Sequence, residues 1–115
     1  MKPEPYVYHG TAISNYDGDT LKAELDLGMG IKCVATCRLL GLDTPEVKKD
    51  KAAALAAKQR LTALLASGPL VFQSTTKPDK YGRLLVKIWA GGVCVNDVLL
   101  VENLAVPYDG GTKPD

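Results

Sequence analysis

The chain has little of the chemistry that most enzyme classes need: one histidine, three cysteines, one tryptophan and one phenylalanine, with a formal charge of only +1. One imidazole, His9, cannot build a His-rich zinc site, and Cys33, Cys37 and Cys94 include no C-x-x-C pair, which argues against a thiolate zinc site. His9 reads as a strand residue. Ser14 and Ser67 lack the glycines of a nucleophile elbow, so acyl transfer through a triad is a poor fit. Three thiols cannot all pair, and Cys33 and Cys37 lie about 13 Å apart along an extended strand. They are expected to be reduced, mostly buried, small apolar side chains, as in a reducing compartment. No apolar run is long enough for a signal peptide or a membrane span, so the expectation is a cytoplasmic protein with no membrane partner, secreted only if a leader has been removed. With 14 basic and 13 acidic residues, the strongly basic balance of a typical nucleic-acid binder is missing.

What is present fits one domain. The 115 residues are 46% apolar and 23% charged, enough to bury one core without staples. The expectation is a single domain over 1–115, with its core at about 6–108 and a flexible tail at 109–115. Period-two alternation predicts a strand from Tyr6 to Ser14, then a turn at Asn15-Tyr16-Asp17-Gly18. A one-sided strand follows, with Leu21, Ala23, Leu25 and Leu27 inward. Gly28-Met29-Gly30 lacks the third glycine of a phosphate loop and reads as a hairpin into a strand from Ile31 to Leu40. Helical spacing of Ala54, Ala57, Leu61, Leu64 and Leu65 predicts a helix from Lys49 to Ala66, with Asp50 and Gly68 as caps. Strands at Leu70–Thr75 and Leu84–Ala90 come next, and a turn at Gly91-Gly92 leads into Val93-Cys94-Val95. Asn96 reads as the N-cap of a short helix, Asp97–Glu102, and Asn103 as its left-handed end. The fold class is mainly β with α (α+β): a five-stranded OB-type barrel with one long helix between the third and fourth strands and a short C-terminal helix.

Carboxylates and guanidinium groups remain as the candidate chemistry. Asp17-Gly18-Asp19-Thr20 sets two acids at a strand start, and Arg38-Leu39-Leu40-Gly41-Leu42-Asp43-Thr44-Pro45-Glu46 sets an arginine and two acids at the end of another. Acids crowded at a barrel mouth repel one another unless a cation lies among them, and such hard oxygen donors suit Ca²⁺ or Mg²⁺. Asp79-Lys80-Tyr81-Gly82-Arg83 adds a second arginine beside an aromatic ring. Paired guanidinium groups suit a phosphodiester whose charge rises in the transition state.

Taken in order with Val95-Asn96 and Leu104-Ala105, these segments resemble the staphylococcal nuclease (thermonuclease) family over roughly residues 6 to 108. The resemblance implies an OB-fold, calcium-dependent phosphodiesterase that acts on DNA and RNA, an endonuclease leaving 3′-phosphate ends, and the chain is expected to be a monomer. Position by position, it implies that Asp19 and Asp43 bind Ca²⁺ through carboxylates and Thr44 through its carbonyl, with Asp17 beside them in the same motif. Glu46 would activate a water for in-line attack, and Arg38 and Arg83 would bind the phosphate. Lys80, Tyr81 and Tyr108 would contact the nucleotide.

The chain departs from the family's longer members in having only Val47 to Lys49 between Glu46 and the helix, and in ending at Asp115 without their C-terminal helix. The alternative is a non-catalytic OB-fold module that binds nucleic acid or protein. Retention of the acids and arginines, with few stacking aromatics, favours catalysis.

Overall fold

In the computed structural model, residues 6–108 are described; the expected flexible tail at 109–115 lies outside them. Strand β1 (Val7–Asn15) pairs antiparallel with β2 (Thr20–Gly28), with a bulge between Ala12 and Ser14. β2 turns into β3 (Ile31–Leu39) through Met29 and Gly30, both left-handed at φ 57° and 76°. Two positive φ values match the turn's twist to that of the strands it joins.

β5 (Leu70–Ser74) pairs with β1, and β6 (Leu84–Ala90) with β5, both antiparallel. The sheet closes on itself where β3 meets β6 in parallel, through Cys37↔Leu84, Arg38↔Leu85 and Leu39↔Val86. This is the expected five-stranded barrel with its two helices. Two short ladders extend it. β4 (Leu42–Asp43) pairs with β8 (Val106–Pro107), and β7 (Val93–Cys94) turns back along β6. The β4–β8 ladder has no signature in hydrophobic periodicity because each strand is two residues long.

The core fills the barrel and the space beneath its long helix. Leu21, Ala23 and Leu25 from β2, Phe72 from β5, and Val86 and Ile88 from β6 meet Leu61, Leu64 and Leu65 of α1 (Lys51–Leu65). Each large side chain contributes roughly 1.5–3 kcal/mol by leaving water. Leu27, expected to face inward, is 46% exposed, since the β2–β3 hairpin has by then run past the helix and the opposite wall. The cysteines also need correction. Only Cys37 is buried, which pushes its thiol up to about 11; Cys94 is half-buried, and Cys33 is exposed on the projecting hairpin. All three are free thiols. His9 is an exposed strand residue.

In α1 the five buried residues are the five that the spacing selects. The helix starts at Lys51 because Asp50 is extended and accepts the Ala53 N–H at 3.0 Å, so Lys49 lies outside. It ends at Leu65. The Ala66 and Ser67 N–H groups and the Ser67 hydroxyl occupy the last carbonyls, so Gly68 is not the cap.

The short helix differs more. α2 spans Val95–Val101, with Cys94 as its N-cap, and Asn96 is an interior, buried residue of it. Its side-chain oxygen accepts the Ile88 N–H at 3.1 Å, while its amide donates to Leu40 O at 2.9 Å and Val86 O at 3.1 Å. Leu40 N–H donating to Val86 O is the last main-chain rung of the β3–β6 seam, and the Asn96 carboxamide then bridges Ile88 and Leu40 where the strands diverge. Buried main-chain groups must be paired, which outweighs the preference of Asn for a cap. Asn103 does take the left-handed end, at φ 59°.

Candidate active site

The acids of the first motif lie in the β1–β2 turn. The Asp17 carboxylate accepts the Asp19 and Thr20 N–H groups at 3.0 and 2.9 Å and holds the turn closed. Gly18 is required by close approach: a Cβ there would come within 2.7 Å of the Ala57 Cβ on α1 and 3.0 Å of Thr44. The turn is thereby pressed against the Thr44 segment. Asp19 accepts the Thr44 N–H at 3.1 Å through Oδ2 and the Thr20 hydroxyl at 3.1 Å through Oδ1.

Arg38 stands opposite Thr20 on β2 and opposite Leu85 on β6, one residue from the end of β3. Its guanidinium reaches Asp43 Oδ1 at 3.0 Å and Asp19 Oδ2 at 3.5 Å, and it donates to Leu42 O at 3.3 Å. All three charged side chains are only about a tenth exposed, at 12% for Arg38, 11% for Asp19 and 10% for Asp43. The β4–β8 ladder fixes Asp43 and brings round Tyr108, whose ring lies 5.6 Å from the Arg38 guanidinium carbon.

Electrostatics separate the two acids of the turn. Burial, together with the neighbouring Asp19, raises the Asp17 carboxyl from its ordinary 3.8 to about 6. Burial also pushes on Asp19, but its hydrogen bond with Asp17, the Arg38 charge and Thr44 hold it below the usual carboxylate range. Of the two, Asp17 takes up a proton at the higher pH, while Asp19 is held in its ionised form.

The second arginine lies across the opening. Arg83 Nε donates to Asp79 Oδ2 at 2.8 Å, and its guanidinium carbon lies 5.1 Å from the Tyr81 ring. Lys80 approaches the same ring at 5.2 Å. Glu46 is exposed on the loop before α1, where its carbonyl accepts the Lys49 and Asp50 N–H groups at 3.0 and 2.9 Å.

All nine residues singled out from the sequence line one open cavity of about 920 Å³: Asp19, Arg38, Asp43, Thr44, Glu46, Lys80, Tyr81, Arg83 and Tyr108. Asp17 lines it too. Thr20 and Pro45 of the motifs line it as well, and the rest of the wall is Asp79, Leu85, Val47 and Lys48, to which the sequence assigns no role. For Asp79 a signal existed, since an Asp four residues before an Arg across a glycine turn can reach it; Leu85 became visible only through the parallel seam.

No three His, Cys, Asp or Glu side chains among the described residues form a ready-made metal cluster. The donors that do converge are all oxygen: two low-exposure carboxylates sharing one arginine, with the Thr44 main chain beside them. That set is suited to a hard divalent cation keeping several waters, and not to zinc or copper.

A sequence profile for the staphylococcal nuclease homologues matches residues 36–114. The chain belongs to that family. It is also similar to two curated proteins of Bacillus subtilis (strain 168). It is 38% identical over 106 residues to the SPbeta prophage-derived endonuclease YokF, covering 84% of this chain and 34% of YokF. It is 39% identical over 106 residues to endonuclease YncB, covering 84% of this chain and 48% of YncB. This staphylococcal nuclease homologue therefore spans about a third to a half of the relatives' lengths. Among its described residues no helix is long and apolar enough to cross a membrane.

Proposed function

We propose that this chain is a calcium-dependent endonuclease that hydrolyses DNA and RNA by in-line attack of water, leaving 3′-phosphate ends. The observation that carries the reading is the Arg38 guanidinium set between Asp19 and Asp43 at the wall of a cavity that also holds Arg83 and Glu46. Family membership and the likeness to two proteins named endonucleases support it. The domain acts as a single unit and as a monomer.

Asp19 and Asp43 would hold the ion through carboxylate oxygens and Thr44 through its carbonyl; when bound, Ca²⁺ supplies positive charge to a phosphoryl oxygen. Arg38 and Arg83 donate to the remaining phosphoryl oxygens, whose charge grows as phosphorus becomes five-coordinate. Glu46 accepts a proton from the attacking water. The water oxygen bonds to phosphorus as the bond to the 5′ oxygen breaks, and that oxygen takes a proton from solvent and leaves as the 5′-hydroxyl. Tyr81, Lys80 and Tyr108 contact the nucleotide.

The test is incubation of the purified chain with single-stranded DNA, duplex DNA and RNA, in Ca²⁺ and in EDTA, with end analysis of the products. Degradation only with Ca²⁺ and 3′-phosphate ends are expected. Equal degradation in both, or binding without cleavage, overturns the reading, the latter in favour of a non-catalytic OB-fold module.

A further inference from the structure

Asp79 lies in the cavity wall with one carboxylate serving two different groups. Its Oδ1 accepts the Tyr81 and Arg83 N–H groups, both at 2.9 Å, and its own N–H donates to Arg83 O at 2.8 Å. Those bonds close the turn, and an Oδ1 acceptor alone would suffice for them. Oδ2 does something the turn does not need: it accepts Arg83 Nε–H at 2.8 Å.

The geometry of that last bond matters because an arginine presents its donors as a rigid planar fork. Occupying Nε fixes the plane of the guanidinium through one bond and leaves its two terminal nitrogens outside that bond. The Tyr81 ring, 5.1 Å from the guanidinium carbon, limits rotation from another direction. The Arg83 side chain is 27% exposed, so without these contacts it would sample many rotamers. The carboxylate is itself kept ionised: burial pushes it up, but the Arg83 and Tyr81 N–H groups and the guanidinium together hold it below the usual range.

We propose that Asp79 is the positioning residue for Arg83, holding its guanidinium plane so that the terminal nitrogens are presented to a phosphoryl group in the cavity. The proposal rests on the nuclease reading for its effect on turnover, though not for the contact itself. Misplacing a charge-stabilising group by about 1 Å can cost on the order of 10²-fold in rate.

The test uses Asp79→Asn and Asp79→Ser. Asparagine retains an oxygen for the turn but replaces the Arg83 acceptor with an N–H₂ donor; serine retains a local acceptor too short to reach Arg83. In each variant kcat on oligonucleotide is expected to fall about 10- to 100-fold, with KM changing less than about 3-fold. On an Arg83→Lys background, which lacks the fork, the same Asp79 substitutions should change kcat by less than about 2-fold. Full additivity there overturns the proposal, because a turn that merely holds the fold would lose the same factor in either background.

A second measurement needs no activity. In the ¹H–¹⁵N spectrum the Arg83 Nε–H signal should be protected from exchange in the parent chain, and should shift and lose protection in Asp79→Asn. An unchanged signal overturns the proposal whatever the kinetics. If the parent chain cleaves no nucleic acid, the nuclease reading fails separately, and this spectrum still decides whether Asp79 orients Arg83.

Discussion

The guanidinium of Arg38 lies 3.0 Å from the Asp43 carboxylate, and both side chains are about nine-tenths buried. The same group reaches Asp19 at 3.5 Å, so one positive charge holds together two acids from separate chain segments. Arg38→Ala should therefore leave two buried carboxylates facing each other. Without divalent ions the loss is expected to be about 3–5 kcal/mol, the range for breaking a buried pair. Urea unfolding in EDTA checks this, and added Ca²⁺ should restore part of the loss by binding only the folded site. Equal midpoints for parent and variant in EDTA would count against the bridging role.

Glu46→Gln should act on turnover and spare stability. The residue is exposed, and its carbonyl accepts the Lys49 and Asp50 N–H groups at the start of α1, which glutamine retains. A fall in kcat of about 10²–10⁴-fold is expected for a lost general base, with the thermal midpoint nearly unchanged. Undiminished kcat would remove Glu46 from the mechanism.

Asp17 predicts a pH dependence with a definite sign. Its carboxyl moves from an ordinary 3.8 to about 6 in the folded chain, so folding favours its protonated form. The resulting stabilisation is complete below about pH 3.8 and is lost as pH rises through about 6. Asp17→Asn still offers an oxygen to the Asp19 and Thr20 N–H groups. In EDTA it should flatten this part of the profile and be more stable near pH 7, by on the order of 1 kcal/mol after allowing for partial solvent screening. A profile parallel to the parent's between pH 4 and 6 would refute the assignment.

Asn96→Ala should cost about 2–4 kcal/mol in urea unfolding, since it strands the buried Ile88 N–H and Leu40 carbonyl. An effect below about 0.5 kcal/mol, typical of a surface site, would show that water replaces the carboxamide freely.

The parts legible in the sequence were those with a strong local cause. The buried face of α1, the Asp50 cap, the Met29-Gly30 hairpin and the left-handed Asn103 each follow from spacing or from the dihedral tolerance of a few residues. Eight of the nine cavity residues were legible because three motifs lie at strand ends that an OB-type barrel gathers at one mouth. What escaped depends on contacts distant in sequence. Asn96 looks like a cap until the diverging β3 and β6 are known to need a bridging amide. Leu27 and Cys33 alternate like core residues but lie where the hairpin outruns its neighbours. Tyr108 lies outside the three motifs, and only the two-residue β4–β8 ladder brings its ring to Arg38.

The parallel join of β3 to β6 spans three residue pairs and unites segments some fifty positions apart in the chain. Contacts of such separation carry the largest loop-closure entropy, which makes this join a late event in folding and an early one in fluctuational opening. Arg38 and Leu85 form its middle pair, so the breathing of the barrel and the alignment of the Arg38 guanidinium are one and the same motion.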